Sequence, residues 1–285
     1  MVLQDMLVQS HWQGVPVWEV RTPQCVARIS CFGGQLLSWQ PAGQDEVLWC
    51  SGQLQAPRPL RGGVPLCWPW FGKHPQDPAA PAHGLARTAP WQLDRAARLD
   101  DGRIHLTLSP QQPLHAHLRV VQHLWLGKTL EQDLTSHNTG KGPEPLSQAL
   151  HTYLQVADVR QVQVAGLEGA FYLDALQAGQ RVQQQGAWHF DADVHAGRAD
   201  RIYQQICAPV VLHDPAGARR IQITASGAQA LVLWTPGPEV AQDMADVGAQ
   251  WPYYLCLEVA NAGADARVLQ PGQVHQLQQA IRVLP

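Results

Sequence analysis

The sequence predicts an all-β protein, a large antiparallel β-sandwich, and three observations support that class. Apolar and polar residues alternate over the short segments 104–108, 118–126 and 130–135, which is the pattern of half-buried strands. Between these segments lie Asp101-Gly102 and Gly127-Lys128, pairs that are typical of hairpin turns. Helical signals are confined to one short segment, 238–245, with proline near its start.

The size of the chain and its continuity predict a single domain over residues 1–285. With 285 residues, 11 tryptophans and 45% hydrophobic residues, the chain has enough material for one large core. The sequence contains no internal repeat, no linker of distinct composition and no low-complexity tail. One sandwich is therefore the simplest arrangement.

Charge and cysteine content exclude several classes of partner. The net charge is -3, from 20 Lys+Arg and 23 Asp+Glu, so we expect neither nucleic acid nor an anionic membrane as a partner. No apolar run reaches membrane-spanning length, and the first seven residues lack the basic segment of a signal peptide. The six cysteines are scattered without a Cys-x-x-Cys pair, which favours free thiols and a cytoplasmic location.

Residues 61–87 are predicted to form an ordered, irregular loop. The segment is rich in aromatic residues that need burial, but its five prolines and four glycines prevent regular helix or strand. Ordering so long a loop costs entropy, and such loops are usually functional. Arg61 and Arg87 bracket the segment, and Lys73, His74 and His83 lie between them. These groups form a positive surface suited to an anion such as phosphate.

Two later segments carry candidate acid-base groups. In 150–156, alternation places His151, Tyr153 and Gln155 on one face. In 253–259, Glu258 stands in an otherwise apolar strand, where a carboxylate is costly unless it is paired or used. From these residues alone, a structural histidine and a paired strand glutamate are the commoner explanations.

The loop sequence carries a family resemblance. The run Arg61-Gly-Gly-Val-Pro-Leu-Cys-Trp-Pro-Trp-Phe-Gly72, followed by His83-Gly-Leu-Ala-Arg87 and Trp91, resembles the glucose-6-phosphate 1-epimerases of the aldose 1-epimerase superfamily. The resemblance implies a galactose mutarotase-like supersandwich that interconverts the α and β anomers of a hexose 6-phosphate without metal or organic cofactor. The expected partner is a small-molecule sugar phosphate, and we expect a monomer.

The resemblance also implies roles for individual residues. His151-Thr-Tyr153 and Cys256-Leu-Glu258 match two family strands, which makes Glu258 the base and His151 the acid of ring opening. His83 resembles the histidine that grips the sugar, although a loop histidine capping a turn is the alternative.

The resemblance also assigns residues to the sugar hydroxyls and to the phosphate. Asp200 matches a carboxylate that contacts sugar hydroxyls, and Arg61 and Arg87 correspond to phosphate ligands. The alternatives are a solvated residue at a strand start for Asp200, and arginines that tie the loop to backbone carbonyls. His115 and His117 share a side of a strand, but no third ligand follows at a suitable spacing.

Two departures from the family pattern affect the expected substrate. Thr235-Pro236-Gly237 stands where the family usually has asparagine-proline-tryptophan, and Ala175 where lysine usually follows the aspartate. These changes leave the proposed acid-base pair intact. An epimerase for unphosphorylated aldoses and a non-catalytic sugar-phosphate-binding protein remain the alternative functions.

Overall fold

The structure, a computed structural model, describes residues 3–285 and consists mainly of antiparallel strands. The predicted all-β class is confirmed. The α-helices of this range are α1 (Leu3–Met6) and α2 (Gly237–Gln242). The second is shorter than the predicted 238–245, because the chain turns at Met244, whose carbonyl accepts from the Val247 and Gly248 N–H groups. Within the described range, neither helix has the length and apolar character that crossing a membrane requires.

The strands follow one another along the whole chain. The first half contains β1 (Leu7–Trp12), β2 (Val15–Arg21), β3 (Cys25–Ser30), β4 (Leu36–Pro41), β5 (Leu66–Cys67), β6 (Trp91–Arg98), β7 (Ile104–Pro110), β8 (Leu118–Leu126), β9 (Leu130–Asn138), β10 (Glu144–Leu146) and β11 (Gln148–Leu150). The second half contains β12 (Tyr153–Gln155), β13 (Gln163–Ala165), β14 (Phe171–Asp174), β15 (Gln180–Gln183), β16 (Trp188–His189), β17 (Ala199–Tyr203), β18 (Val210–Asp214), β19 (Arg219–Ser226), β20 (Ala230–Thr235), β21 (Tyr254–Asn261), β22 (Arg267–Leu269) and β23 (Val274–Leu284). Short 3₁₀ helices span Ala86–Thr88, Val159–Gln161, Ala175–Gln177, His195–Gly197, Gly248–Tyr253 and Gly263–Asp265.

Within residues 3–285 these strands form four sheets. The nine-stranded sheet has the order β16-β13-β18-β19-β23-β9-β8-β7-β6. The eight-stranded sheet has the order β15-β14-β17-β20-β21-β11-β5, with β12 also paired to β21. Strands β1 to β4 form a meander, and β10 pairs with β22.

The main core lies between the inner faces of the two large sheets. Along β21, Leu255, Leu257 and Val259 belong to this core, whereas Cys256 and Glu258 point to the opposite face. The nine-stranded sheet contributes Leu106, Leu124, Leu134 and Leu277. Because side chains alternate along a strand, the residues between these core positions lie on the other face of the eight-stranded sheet, outside this core.

A relay of buried, hydrogen-bonded amide side chains crosses the core from the nine-stranded sheet toward the eight-stranded sheet. Gln122 donates to the Gly34 carbonyl, Gln132 donates to Gln122 and Gln279 donates to Gln132, at 2.7, 2.7 and 2.9 Å. The Thr152 hydroxyl ends this relay by donating to Gln279 Oε1 at 3.0 Å. Buried amides and hydroxyls are costly unless they are paired, so this relay fixes the segment next to His151.

The predicted strand 150–156 is interrupted between β11 and β12. The Thr152 N–H donates to the Leu150 carbonyl at 2.9 Å, which closes a tight turn. The His151 N–H donates to the Pro65 carbonyl at 3.1 Å. The backbone of His151 is therefore bound to the 61–87 loop, and a continuous strand is not possible there.

Candidate active site

The candidate site lies on the outer face of the eight-stranded sheet. Asp200 on β17 lies opposite Trp234 on β20, and Trp234 lies opposite Cys256 on β21. Glu258 follows two residues after Cys256, so it projects to the same face. Strand register thus places Asp200 and Glu258 on one surface.

His151 and Glu258 form a buried pair at this surface. His151 Nε2 lies 3.3 Å from Glu258 Oε1, and the residues are 9% and 1% exposed. Among the described residues, His151 Nδ1 and Glu258 Oε2 have no hydrogen-bond partner. Two unpaired polar atoms beside a paired acid and base indicate a site that a polar ligand completes.

Burial disfavours charge on both members of the pair. It raises the pKa of Glu258 well above its usual range; the nearby Asp200 raises that pKa further, while Arg87 opposes the change. Burial also lowers the pKa of His151 well below its usual value, and His83, Arg87 and Arg61 act in the same direction. The neutral pair and the ion pair contain the same number of protons, so the two forms differ only in which residue holds one proton.

His83 faces the pair from the 61–87 loop, which is ordered as predicted. Its ring meets that of His151 edge-on, with centroids 5.7 Å apart. The Gly72 N–H donates to Nδ1 at 3.4 Å, so the neutral ring carries its proton on Nε2. Burial, followed by Arg87 and Arg61, lowers the pKa of His83 to about 4. His83 is therefore a neutral hydrogen-bond donor at physiological pH.

The turn at Gly84 holds His83 in place. Gly84 has φ +77°, and a Cβ there would lie 2.0 Å from the Trp68 carbonyl oxygen. The Trp68 indole N–H in turn donates to Ser136 Oγ at 2.9 Å in the core. The loop is thus fixed to the nine-stranded sheet at its centre, which explains its order despite its irregular backbone.

Arg61 lies at one side of the site. Its Nε donates to Asp246 Oδ2 at 3.0 Å, and its Nη1 donates to the Tyr153 hydroxyl at 3.3 Å. Arg61 and Asp246 border a surface cavity of about 340 Å³ that Arg58 also lines. The guanidinium is held in position and remains accessible.

Arg87 ends the same loop and follows His83 in the sequence. Its Nη2 donates to the Ala82 carbonyl at 2.7 Å, and its Nε is buried with no partner in the 3–285 range. Its charge acts on the pKa of His83, His151 and Glu258. The charges of Arg61 and Arg87 both lower the pKa values of His83 and His151, and the two arginines lie at opposite ends of the 61–87 segment.

Asp200 lies on the same face as Glu258, and the two departures from the family pattern lie at the end of β20 and directly after β14. Burial, followed by Asp174, raises the pKa of Asp200. Gly237 begins α2 with φ +67°, and a Cβ there would lie 2.9 Å from the Ala196 carbonyl. Ala175 is exposed at the start of a 3₁₀ helix. Glycine at 237 therefore permits a close approach between α2 and the loop before β17.

Comparison with known proteins decides the family. The sequence profile of the aldose 1-epimerase family matches residues 16–282. The chain belongs to the aldose 1-epimerase family. It is therefore an isomerase of the mutarotase type, and its β-sandwich is the fold of that family.

Individual relatives support this assignment over nearly the whole chain. A protein of Escherichia coli K12, provisionally named glucose-6-phosphate 1-epimerase, is 36% identical over 92% of this chain and 88% of its own. A Cenchrus ciliaris protein with the same provisional name is 30% identical over 92% of this chain and 82% of its own. The crystal structure of YeaD from Salmonella typhimurium, provisionally described as a mutarotase, superposes with TM-score 0.89 at 30% identity, covering 99% and 95% of the two chains.

Sequence reasoning did not single out three residues that support the candidate site. Tyr153 was expected in a polar row and in the His151-Thr-Tyr153 match, without a role of its own, but it stacks on His151 with centroids 4.9 Å apart. Asp246 binds Arg61 from a segment that carried no motif, and Thr152 anchors the turn after His151. No local pattern distinguishes Asp246 and Thr152, because their partners Arg61 and Gln279 are remote in sequence. Over residues 3–285, no cluster of His, Cys, Asp and Glu is placed to hold a metal ion.

Proposed function

We propose that this epimerase interconverts the α and β anomers of a hexose 6-phosphate, with glucose 6-phosphate as the first candidate. The observation that carries the proposal is the 3.3 Å approach of His151 Nε2 to Glu258 Oε1 in a buried site that also contains unpaired polar atoms. Opening a pyranose needs a base at the C1 hydroxyl and an acid at the ring oxygen. The names of the Escherichia coli and Cenchrus ciliaris relatives support the substrate.

The pair acts by exchanging one proton each with the sugar. Glu258 takes the proton of the C1 hydroxyl, the C1–O5 bond breaks, and His151 gives a proton to O5, which leaves the open-chain aldehyde. Rotation about C1–C2 and closure on the other face of the carbonyl give the opposite anomer, with the two residues in reversed roles. The cycle uses the ion pair, with the shared proton on His151 and Glu258 ionised, although burial alone favours the proton on Glu258.

Other residues of the site bind the rest of the substrate. His83 donates from Nε2 to a sugar oxygen, and Asp200 accepts from sugar hydroxyls. Arg61 and Arg87 bind the phosphate, where each charge-assisted hydrogen bond contributes about 1.5 to 3 kcal/mol. The accessible Arg61 guanidinium and the unpaired Nε of Arg87 within the described chain support this role.

An epimerase acting on unphosphorylated aldoses is the second candidate. Both arginines already have protein partners, Asp246 and Tyr153 for Arg61 and the Ala82 carbonyl for Arg87. If these contacts are their whole function, Arg87→Met leaves the KM for glucose 6-phosphate unchanged. A rise in that KM, with the KM for glucose unaffected, supports the phosphate role.

The reaction is tested by NMR exchange spectroscopy on glucose 6-phosphate and on glucose. We expect wild-type protein to accelerate anomer exchange of the phosphate ester, and Glu258→Gln to lose about 10²- to 10⁴-fold. Glu131→Gln is the control, since Glu131 is 44% exposed and pairs with Arg103 on the other sheet. Equal acceleration of both sugars favours the second candidate, and binding of the ester without acceleration favours a non-catalytic binding protein.

We also propose a cytoplasmic monomer. The cysteines of the described chain are free thiols, which suits a reducing compartment. Light scattering coupled to size exclusion measures the mass directly, and a value near 31.4 kDa is expected.

A further inference from the structure

Tyr153 lies between the candidate phosphate ligand and the candidate acid. Its hydroxyl accepts a hydrogen bond from Arg61 Nη1 at 3.3 Å. Its ring stacks on the His151 imidazole, with centroids 4.9 Å apart and an interplanar angle of 14°. One side chain thus contacts Arg61 at its polar end and His151 along its face.

The tyrosine is held on its remaining sides by other aromatic rings. Trp49 and Tyr254 lie 5.9 and 5.2 Å from its ring centroid, and Trp234 lies 6.4 Å away. Only 2% of Tyr153 is exposed. A displacement of its hydroxyl therefore moves the whole ring, because interiors are closely packed and transmit strain.

The His151 ring has few other constraints on its orientation. Its Nδ1 is buried without a hydrogen-bond partner in the described part of the chain, and its Nε2 faces Glu258. The His83 and Trp234 rings meet it edge-on, at 5.7 and 6.3 Å. The stacked face of Tyr153 is consequently the main surface that sets the plane of the imidazole.

The Arg61 end of the contact is open to an anion. The side chains of Arg61 and Asp246 are each 31% exposed, and they border a cavity of about 340 Å³. An anion bound there competes with Asp246 for the guanidinium. We expect this competition to shift Arg61 Nη1 relative to the Tyr153 hydroxyl that it contacts.

We propose that Tyr153 is a positioning residue that couples anion binding at Arg61 to the orientation of His151, so that the substrate phosphate raises kcat and not only affinity. The proposal rests on the proposed function, and it adds that part of the binding energy of the phosphate orients His151. Energy from a remote group raises kcat when it is spent on alignment at the reacting atoms. An unphosphorylated hexose lacks this contribution.

Tyr153→Phe tests the coupling, with Tyr254→Phe as the matched control. The first variant keeps the stacked ring and loses the hydroxyl that Arg61 contacts. The second removes a buried hydroxyl of the same aromatic cluster that has no partner among residues 3–285. We expect Tyr153→Phe to lower kcat for glucose 6-phosphate by about tenfold with little change in its KM or in turnover of glucose. Equal losses on both sugars, or equal effects of the two variants, would overturn the proposal.

A second measurement does not depend on turnover. Inorganic phosphate is titrated into each protein with ¹⁵N-labelled histidine, and the His151 ring signals are followed by NMR. We expect similar phosphate affinity in all three proteins, but a clearly smaller change of the His151 signals in Tyr153→Phe. Identical changes in all three, or no phosphate binding by the wild type, would overturn the coupling. The anomer-exchange measurement separately decides the proposed function.

Discussion

The Nε2 atom of His151 lies 3.3 Å from Oε1 of Glu258, and both side chains are almost fully buried. His151 is held by a turn that the loop and the amide relay fix, and Glu258 is held in the centre of β21. The geometry of the acid-base pair therefore depends on backbone contacts at His151 and on strand register at Glu258.

The turn at Gly84 should be intolerant of any side chain. Gly84→Ala places a methyl group 2.0 Å from the Trp68 carbonyl oxygen, so the turn that carries His83 must move. Gly72→Ala is a matched control, since Gly72 has a similar φ of +72° and no described atom within 4 Å of its Cβ position. The free energy of unfolding of Gly72→Ala should fall only by the cost of a left-handed backbone for a residue with a side chain, about 1 to 2 kcal/mol. Urea unfolding and anomer-exchange rates should show a larger loss for Gly84→Ala; equal losses would contradict the steric argument.

The Thr152 hydroxyl should stabilise the fold through the buried amide relay. Thr152→Val keeps the shape of the side chain but removes the partner of Gln279 Oε1, which should cost about 1 to 3 kcal/mol in the free energy of unfolding. Thr139→Val also removes a hydroxyl hydrogen bond, to the His117 carbonyl, but at an exposed position where water replaces it. Chemical denaturation compares the two. A Thr152→Val protein no less stable than Thr139→Val would show that the relay is not stabilising.

Asp246 should compete with the phosphate of the substrate. Asp246→Asn removes the charge that Arg61 Nε contacts, so the KM for glucose 6-phosphate should fall about two- to fivefold, as expected for a partly exposed ion pair. The difference should shrink as salt concentration rises. Asp243→Asn, in the same cavity wall, is the control for a general change of surface charge. A higher KM in Asp246→Asn would mean that the carboxylate serves mainly to orient Arg61.

His83 should make the fold sensitive to acid. Its pKa falls from 6.5 in the unfolded chain to about 4 in the folded protein, so between these values the unfolded state binds a proton that the native state does not. Stability is complete above pH 6.5 and is lost as the pH falls, by up to about 3 kcal/mol near pH 4. Thermal unfolding of wild type and His83→Gln across this range should show a shallower decline in the variant. Replacement of the exposed His11 by Gln is the control, and parallel curves for wild type and His83→Gln would refute the assignment.

Much of the fold was predictable because alternation is a local property. Strands such as β7, β8 and β9 follow directly from their period-two pattern, and the irregular 61–87 loop follows from its prolines, glycines and aromatic residues. The interruption after His151 was not predictable. Alternation continues through that segment, and the hydrogen bond that takes the His151 N–H out of the strand goes to the Pro65 carbonyl, far away in the chain.

The β-sandwich class, the ordered loop and the motif that places the chain among the aldose 1-epimerases follow from local patterns of residues. The contact of Glu258 with His151, the position of Tyr153 between His151 and Arg61, and the ion pair of Asp246 with Arg61 are visible only in the folded chain. The physical reason is that periodicity and turn chemistry act between near neighbours in the chain, whereas a site is assembled by strand register and loop contacts between distant segments. Those contacts are set by the packing of the whole core, which no local pattern encodes.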